Sequence, residues 1–121
     1  MARILIVDDS PSQLIGLRRT VEKLGHQVVT AEDGAAGVET AKRELPDLIL
    51  MDVVMPNLNG FQATRTIAKD PKTSHIPIIL VTTKDQDTDR VWGLRQGAKA
   101  YVTKPIDEAE LTRTINEYMP A

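Results

Sequence analysis

The sequence predicts an α/β domain, a doubly wound parallel sheet of five strands alternating with five helices. Three observations predict it. The runs Ile4-Leu5-Ile6-Val7, Ile49-Leu50-Met51 and Ile78-Ile79-Leu80-Val81 are unbroken and apolar, as strands buried on both faces are. Between the runs, apolar residues recur at helical spacing. Each run then ends on a residue that carries chemistry: Asp8-Asp9, Asp52, and Thr82-Thr83, with Ala100-Tyr101-Val102-Thr103 running into Lys104-Pro105. Strands alternating with helices give a parallel sheet covered on both faces.

The first strand is read over residues 3–8. Ser10 then serves as an N-cap, with Pro11 at the first helical position, where its missing N–H costs nothing. Leu14, Leu17, Val21 and Leu24 form the inward stripe of that helix, and Gly25 ends it. Residues 27–31 form a short second strand. Asp33 caps a second helix with Val38, Ala41 and Leu45 inside, stopped by Pro46. The third strand spans residues 47–52, and residues 60–68 form a helix with Phe61, Thr64 and Ile67 on one side. Residues 69–77 read as a polar connector, followed by the fourth strand over residues 78–82. A fourth helix over residues 86–96 is closed by Gly97 and is expected to bury Val91 and Leu94, with Trp92 pointing away from that face. The fifth strand covers residues 99–102, and the last helix covers residues 107–119 with Leu111, Ile115 and Met119 inside.

The second strand carries Gln27 and Thr30 and is too polar for the middle of the sheet, so it takes an edge. The fifth is also weakly apolar and takes the other edge. The order 2-1-3-4-5 follows, that of flavodoxin-like sheets, with strands one and three adjacent where the winding reverses. Ligands of such sheets bind outside the carboxyl ends of the strands at that point, which gathers Asp8, Asp9 and Asp52 in one crevice.

A length of 121 residues suits one domain, read as residues 1–121. A net charge of −2 offers no field for nucleic acid, and the Arg18-Arg19 and Lys42-Arg43 pairs lack interleaved aromatics. The absence of cysteine excludes disulfides, zinc–thiolate sites and thiol catalysis. The first apolar run is too short for a signal peptide or a membrane span, so no membrane insertion and a cytoplasmic location are expected. His26 and His75 are expected in separate, solvated loops and form no ligand pair.

Carboxylates crowded into one crevice repel one another, by about 4 kcal/mol for two charges about 4 Å apart at an effective dielectric of about 20. Such a cluster calls for a cation. With oxygen ligands only, that cation is Mg²⁺, with Mn²⁺ expected to substitute, rather than zinc. A cation beside a carboxylate, with Lys104 near, also attracts a phosphoryl group, to which Thr82 can donate its hydroxyl. Asp52 is then the natural nucleophile, giving an aspartyl phosphate. Each residue alone has an ordinary explanation as a helix cap, a turn hydroxyl or a surface charge. The specificity lies in all of them falling at strand ends of one fold.

From Arg3 to the last helix the chain resembles the receiver domains of two-component response regulators, of the CheY-like kind. The matching stretches are Val7-Asp8-Asp9, Met51-Asp52 with Met55-Pro56 and Gly60, Thr82-Thr83, and Gly97-Ala98-Lys99-Ala100-Tyr101 with Lys104-Pro105. The resemblance implies that Asp52 accepts phosphate from a histidine kinase and that Asp9 and Asp52 hold Mg²⁺ with the Val54 backbone carbonyl, Asp8 acting through water. It implies that Lys104, before a cis Pro105, contacts the phosphoryl group. It also implies that Thr82 and Tyr101 form a switch pair, the Tyr101 ring turning inward when Thr82 is drawn to the phosphate. A stand-alone, monomeric regulator is expected, phosphorylated by a histidine kinase of the CheA type and acting on a downstream protein target. It looks closest to the small receivers of the chemotaxis-like pathway that controls type IV pili and twitching motility. There it would act directly or as a phosphate sink for a partner regulator.

The resemblance implies that Val54, two residues after Asp52, and Lys84, two after Thr82, flank the attacking water; Val54 offers no polar group to orient it, so slow self-dephosphorylation and no steady turnover are expected. Trp92 is read as a docking residue beside Tyr101, since tryptophan is enriched at binding hot spots. Two rivals fail on particular residues. An FMN binder of the same strand order needs a phosphate-cradling loop where Asp8-Asp9 stands. A haloacid-dehalogenase-type phosphatase expects an acid where Val54 follows Asp52.

Overall fold

The structure is a computed structural model that describes residues 1–120. Its elements are β1 (Arg3–Val7), α1 (Pro11–Lys23), β2 (Gln27–Ala31), α2 (Gly34–Glu44), β3 (Leu48–Met51), α3 (Gly60–Lys69), β4 (Ile78–Thr82), α4 (Asp87–Arg95), β5 (Ala100–Thr103) and α5 (Glu108–Tyr118). The five strands form one parallel sheet in the order β2-β1-β3-β4-β5.

Local chemistry sets the element ends. The Ser10 side chain accepts the Gln13 N–H and Pro11 opens α1, while Gly25, at φ 88°, turns the chain out of it. Asp33 Oδ1 accepts the Ala36 N–H at 2.7 Å and starts α2. Asn59 and Gln62 cap α3 reciprocally.

Successive strand residues face opposite layers. Ile4, Ile6, Leu48, Leu50, Ile79, Val81 and Val102 pack with Leu14, Leu17 and Val21 of α1 and Leu111 and Ile115 of α5. On the other face, Leu5, Val7, Ile49, Met51, Ile78 and Leu80 pack with Val38 and Ala41 of α2 and Ala63 and Ile67 of α3. The side chains of β1 and β3 that meet both layers are almost fully buried. Truncating one of them, as in Leu50→Ala, removes about 2–5 kcal/mol. The apolar strands therefore fix β1 and β3 in the centre, and with them the crevice beyond their ends.

Individual residues depart from the sequence expectation. Val91 and Leu94 are 51% and 49% exposed, and the residue that α4 buries is Gly93. The helix lies so close to the sheet that only a glycine fits beneath it, so the apolar spacing does not mark the inner face. Leu45 is not inside α2. It is the C-cap, left-handed at φ 46° and half exposed, because Pro46 prevents the helix from continuing. The connector after α3 is not uniformly polar and solvated: Thr73 and Ile76 are buried, and the Thr73 hydroxyl donates to the Ile67 carbonyl at 2.8 Å. His26 is partly buried and its Nδ1 accepts the Ala2 N–H at 3.1 Å, whereas His75 is exposed. Among the described residues no helix is long and apolar enough to cross a membrane.

Candidate functional site

The parallel register brings the ends of β1 and β3 together. Val7 faces Met51 across the ladder, and the Asp52 N–H donates to the Val7 carbonyl at 2.9 Å. The next residues on both strands are the acids. Carboxylate oxygens of Asp8, Asp9 and Asp52 lie within 4.8 Å of one another. Asp8 and Asp52 are buried and Asp9 is exposed. Asp8 Oδ1 accepts the Ser10 N–H at 2.9 Å, which fixes one oxygen at the entrance to α1.

Lys104 reaches this crevice because its own N–H continues the β4–β5 ladder, donating to the Thr82 carbonyl at 2.8 Å. Its Nζ lies 2.8 Å from Asp8 Oδ2 and 3.4 Å from Asp52 Oδ2. The peptide between Lys104 and Pro105 is cis. Asp52 Oδ1 accepts its neighbour's amide, the Val53 N–H, at 2.7 Å. Gly60 admits the close return of the chain, since any Cβ there would collide with the Asp52 carbonyl. Burial pushes the Asp52 carboxyl above its ordinary value. Lys104 opposes the shift, Asp8 adds to it, and the Val53 amide and Thr82 hydroxyl oppose it.

Three carboxylates facing one ammonium leave the crevice negative. The donors are all oxygen, and one carboxylate is open to solvent. This set fits a hard divalent cation that keeps part of its water shell. Asp8, Asp9 and Asp52 could hold it. Val54, on the loop just after Asp52, is 56% exposed.

Thr82 ends β4 and is fully buried, its Oγ1 accepting the Lys84 N–H at 3.3 Å. Tyr101 in the middle of β5 is 9% exposed and its hydroxyl donates to the Lys84 carbonyl at 2.7 Å. The ring is inward in this structure. Burial, with the Asp89 carboxylate next in importance, pushes the Tyr101 phenol up to about 12 against the pull of Arg90. Trp92, 49% exposed, opens onto a groove of about 460 Å³ that it shares with Val54, Met55, Phe61, Lys84 and Asp89. The structure thus brings Asp8, Asp9 and Asp52 within 4.8 Å of one another with Lys104 bonded to Asp8 and Asp52, sets Thr82 and Tyr101 on either side of Lys84, and places Trp92 and Val54 on one groove.

Lys84 lines the groove with Val54, and Asp89 and Arg90 stand at this site although neither strand ends nor apolar spacing mark them. Lys84 Nζ lies 3.7 Å from Asp89 Oδ1, and Asp89 Oδ2 accepts the Gln86 N–H at 3.3 Å. The Arg90 guanidinium lies over the Tyr101 ring, 5.3 Å from its centre. Asp89, seven residues after Thr82, reads in the sequence only as an acid in the first turn of the fourth helix.

The family model for the response regulator receiver domain matches residues 4–116. Protein PilH of Pseudomonas aeruginosa is 63% identical over 116 residues, covering 96% of each chain. Response regulator PleD of Caulobacter vibrioides is 44% identical over 110 residues, which span 91% of this chain and 24% of PleD. Among solved structures, chemotaxis protein CheY4 of Vibrio cholerae superposes with a TM-score of 0.91 at 29% identity, covering 98% of this chain and 99% of the other. The receiver domain of a sensor histidine kinase from Pseudomonas aeruginosa, with magnesium coordinated in its active-site cleft, gives a TM-score of 0.89 at 34% identity. That match covers 97% of this chain and 96% of the other.

Proposed function

Because the chain belongs to the response regulator receiver domain family, we propose that Asp52 takes a phosphoryl group from a histidine kinase and that Thr82 and Tyr101 pass the change to a protein-binding face. The observation that carries the reading is Lys104 Nζ bridging Asp8 and Asp52 beside a third carboxylate. That arrangement is built for an incoming anion whose charge the ammonium and a cation share.

Asp52 Oδ1 is held by the Val53 amide at 2.7 Å, and Oδ2, held only by the longer 3.4 Å bond from Lys104, is the oxygen that attacks phosphorus. The bond from Oδ2 to phosphorus forms as the bond from phosphorus to the kinase histidine nitrogen breaks, and the released imidazole takes up a proton. Lys104 then shifts from Asp52 Oδ2 to a phosphoryl oxygen, and the buried Thr82 hydroxyl turns to donate to another. Mg²⁺, when bound, would supply positive charge that favours ionised carboxylates and offsets the charge of a phosphoryl group. Asp9 and Asp52 with the Val54 carbonyl would hold it, Asp8 acting through water, and Mn²⁺ would serve in its place.

The kinase is of the CheA type and the output is binding of a protein target by the face formed by α4, β5 and α5, where Tyr101 sits, while Trp92 would add a docking side chain from the groove it shares with Val54, Met55 and Phe61. The likeness to protein PilH along nearly all of both chains supports the narrower reading, a receiver in chemotaxis-like control of type IV pili and twitching motility. On this reading the chain is one cytoplasmic domain, residues 1–121, that is not a turnover enzyme and loses its phosphoryl group slowly.

Intact-mass measurement after incubation with Mg²⁺ and acetyl phosphate tests the reaction. Wild type is expected to gain one phosphoryl group and Asp52→Asn none. Equal gain by both would overturn the assignment of Asp52.

A further inference from the structure

We propose that Arg90 and Gly93 of α4 are positioning residues that hold the Tyr101 ring in its inward packing, so that this packing is favoured by the fold itself and not only by chemistry at Asp52. The proposal rests on the reading of Tyr101 as the mobile member of the switch.

Three contacts enclose the ring. Gly93 forms the floor. A Cβ at position 93 would lie 2.6 Å from Leu80 Cδ1 and 3.2 Å from both Tyr101 Cδ2 and Cε2, so the ring and Leu80 fill the space that any other side chain would take. Glycine weakens a helix interior, and here the missing side chain is what lets the helix close over an aromatic ring. Arg90 forms the lid. Its guanidinium carbon lies 5.3 Å from the ring centre, and its Nη1 donates to the Tyr101 carbonyl at 3.3 Å. The second contact fixes the cation over the ring face, where the ring's negative quadrupole attracts it. The carbonyl of Lys84 forms the far end, accepting the phenol hydroxyl at 2.7 Å.

The neighbouring charges leave Arg90 to this task. Asp89, the adjacent acid, is taken by Lys84 Nζ and the Gln86 amide. Arg90 itself makes no ion pair among the described residues. It sits one turn from Asp87 on the helix, yet its bonds go to β5. A ring already held inward leaves phosphorylation a smaller population to shift, so binding of the target would depend less steeply on the phosphoryl group.

The test follows the ring in the full chain. The sequence has two tyrosines, so Tyr118→Phe leaves Tyr101 as the sole site for fluorotyrosine labelling. Fluorine NMR, with the cross-relaxation between ring protons and Gly93 Hα marking the inward state, is recorded for Arg90, Arg90→Met and Arg90→Lys. Arg90→Met is expected to lower the inward-to-outward ratio by about 3- to 10-fold, with Arg90→Lys recovering part of it because a cation remains. Gly93→Ala is expected to displace the ring outward as well. An inward fraction unchanged in Arg90→Met, or equal loss in Arg90→Lys and Arg90→Met, would overturn the proposal. Intact mass with acetyl phosphate is measured on the same samples. A ring that responds to Arg90→Met in a protein that takes no phosphoryl group would sink the Asp52 reading and leave the positioning role standing.

Discussion

Tyr101 and Thr82 are joined through the backbone of a single residue. The Tyr101 hydroxyl donates to the Lys84 carbonyl at 2.7 Å, and the Lys84 amide donates to the Thr82 hydroxyl at 3.3 Å. A rotation of the Thr82 hydroxyl toward the acidic crevice removes the acceptor of the Lys84 amide and so moves the group that holds Tyr101. Thr82→Ala is therefore expected to accept a phosphoryl group from acetyl phosphate while losing most of the accompanying change in the Tyr101 NMR signals. Thr82→Ser, which keeps the hydroxyl, is expected to retain it. A full Tyr101 response in Thr82→Ala would show that the signal travels by another route.

Lys104 is the only cation bonded to the buried acids, 2.8 Å from Asp8 and 3.4 Å from Asp52 among the described residues. Lys104→Met leaves those carboxylates unneutralised, and breaking a buried pair in this way costs about 3 kcal/mol. Thermal melts in metal-free buffer are expected to show a Tm lower by roughly 10 °C. Added Mg²⁺ is expected to raise the Tm of this variant more than that of wild type, since the uncompensated acids bind the cation more strongly. Equal Mg²⁺ stabilisation of both would contradict the charge balance described for the crevice.

Asp52 is held above its ordinary value chiefly by burial. The folded state then binds the proton more tightly than the unfolded chain does. The stabilisation this gives is complete below the unfolded value of 3.8 and is lost as the pH rises through the raised folded value. In buffer free of divalent ions Asp52→Asn, which cannot ionise, is expected to melt higher than wild type at about pH 7, by about 3–5 °C for each kcal/mol released. The gain is expected to shrink toward about pH 3. Melts of both proteins across that range check it, and a lower Tm for Asp52→Asn at neutral pH would be the contrary result.

Val54 is apolar and exposed on the groove it shares with Trp92, Lys84 and Asp89. Water reaching a phosphoryl group on Asp52 from that side meets no polar side chain at position 54. Val54→Asn supplies one, and the phosphoryl lifetime, followed by the decay of intact mass after the donor is removed, is expected to shorten by about tenfold. An unchanged lifetime would mean that the attacking water is oriented elsewhere.

The sheet was legible because its evidence is local. Unbroken runs such as Ile4 to Val7 and Ile78 to Val81 demand burial on both faces, and polar Gln27 and Thr30 mark an edge. The gathering of Asp8, Asp9 and Asp52 followed from strand order, because parallel strands present their carboxyl ends on one rim, whereas Lys104 follows β5, two strands from β3, and its reach into the crevice came from the resemblance. Helix α4 was less legible. Apolar spacing assigned Val91 and Leu94 inward, but the packing distance there is set by Gly93, whose lack of a side chain carries no hydrophobic signal. The stacking of Arg90 on Tyr101 joins residues on different elements and turns on which way the helix faces, a quantity that spacing misjudged. In the same way, Thr73 and Ile76 lie in a connector whose polar composition hid the two side chains it buries.

Asp52, and neither of the acids beside it, is the proposed carrier of the phosphoryl group. Borohydride reduces an aspartyl phosphate to homoserine, which marks the modified residue permanently. Wild-type protein treated with Mg²⁺ and acetyl phosphate, reduced, digested and sequenced by mass spectrometry, is predicted to carry homoserine at position 52 alone. Homoserine at position 8 or 9, or its absence from all three positions in protein that has gained the mass of a phosphoryl group, would contradict the account.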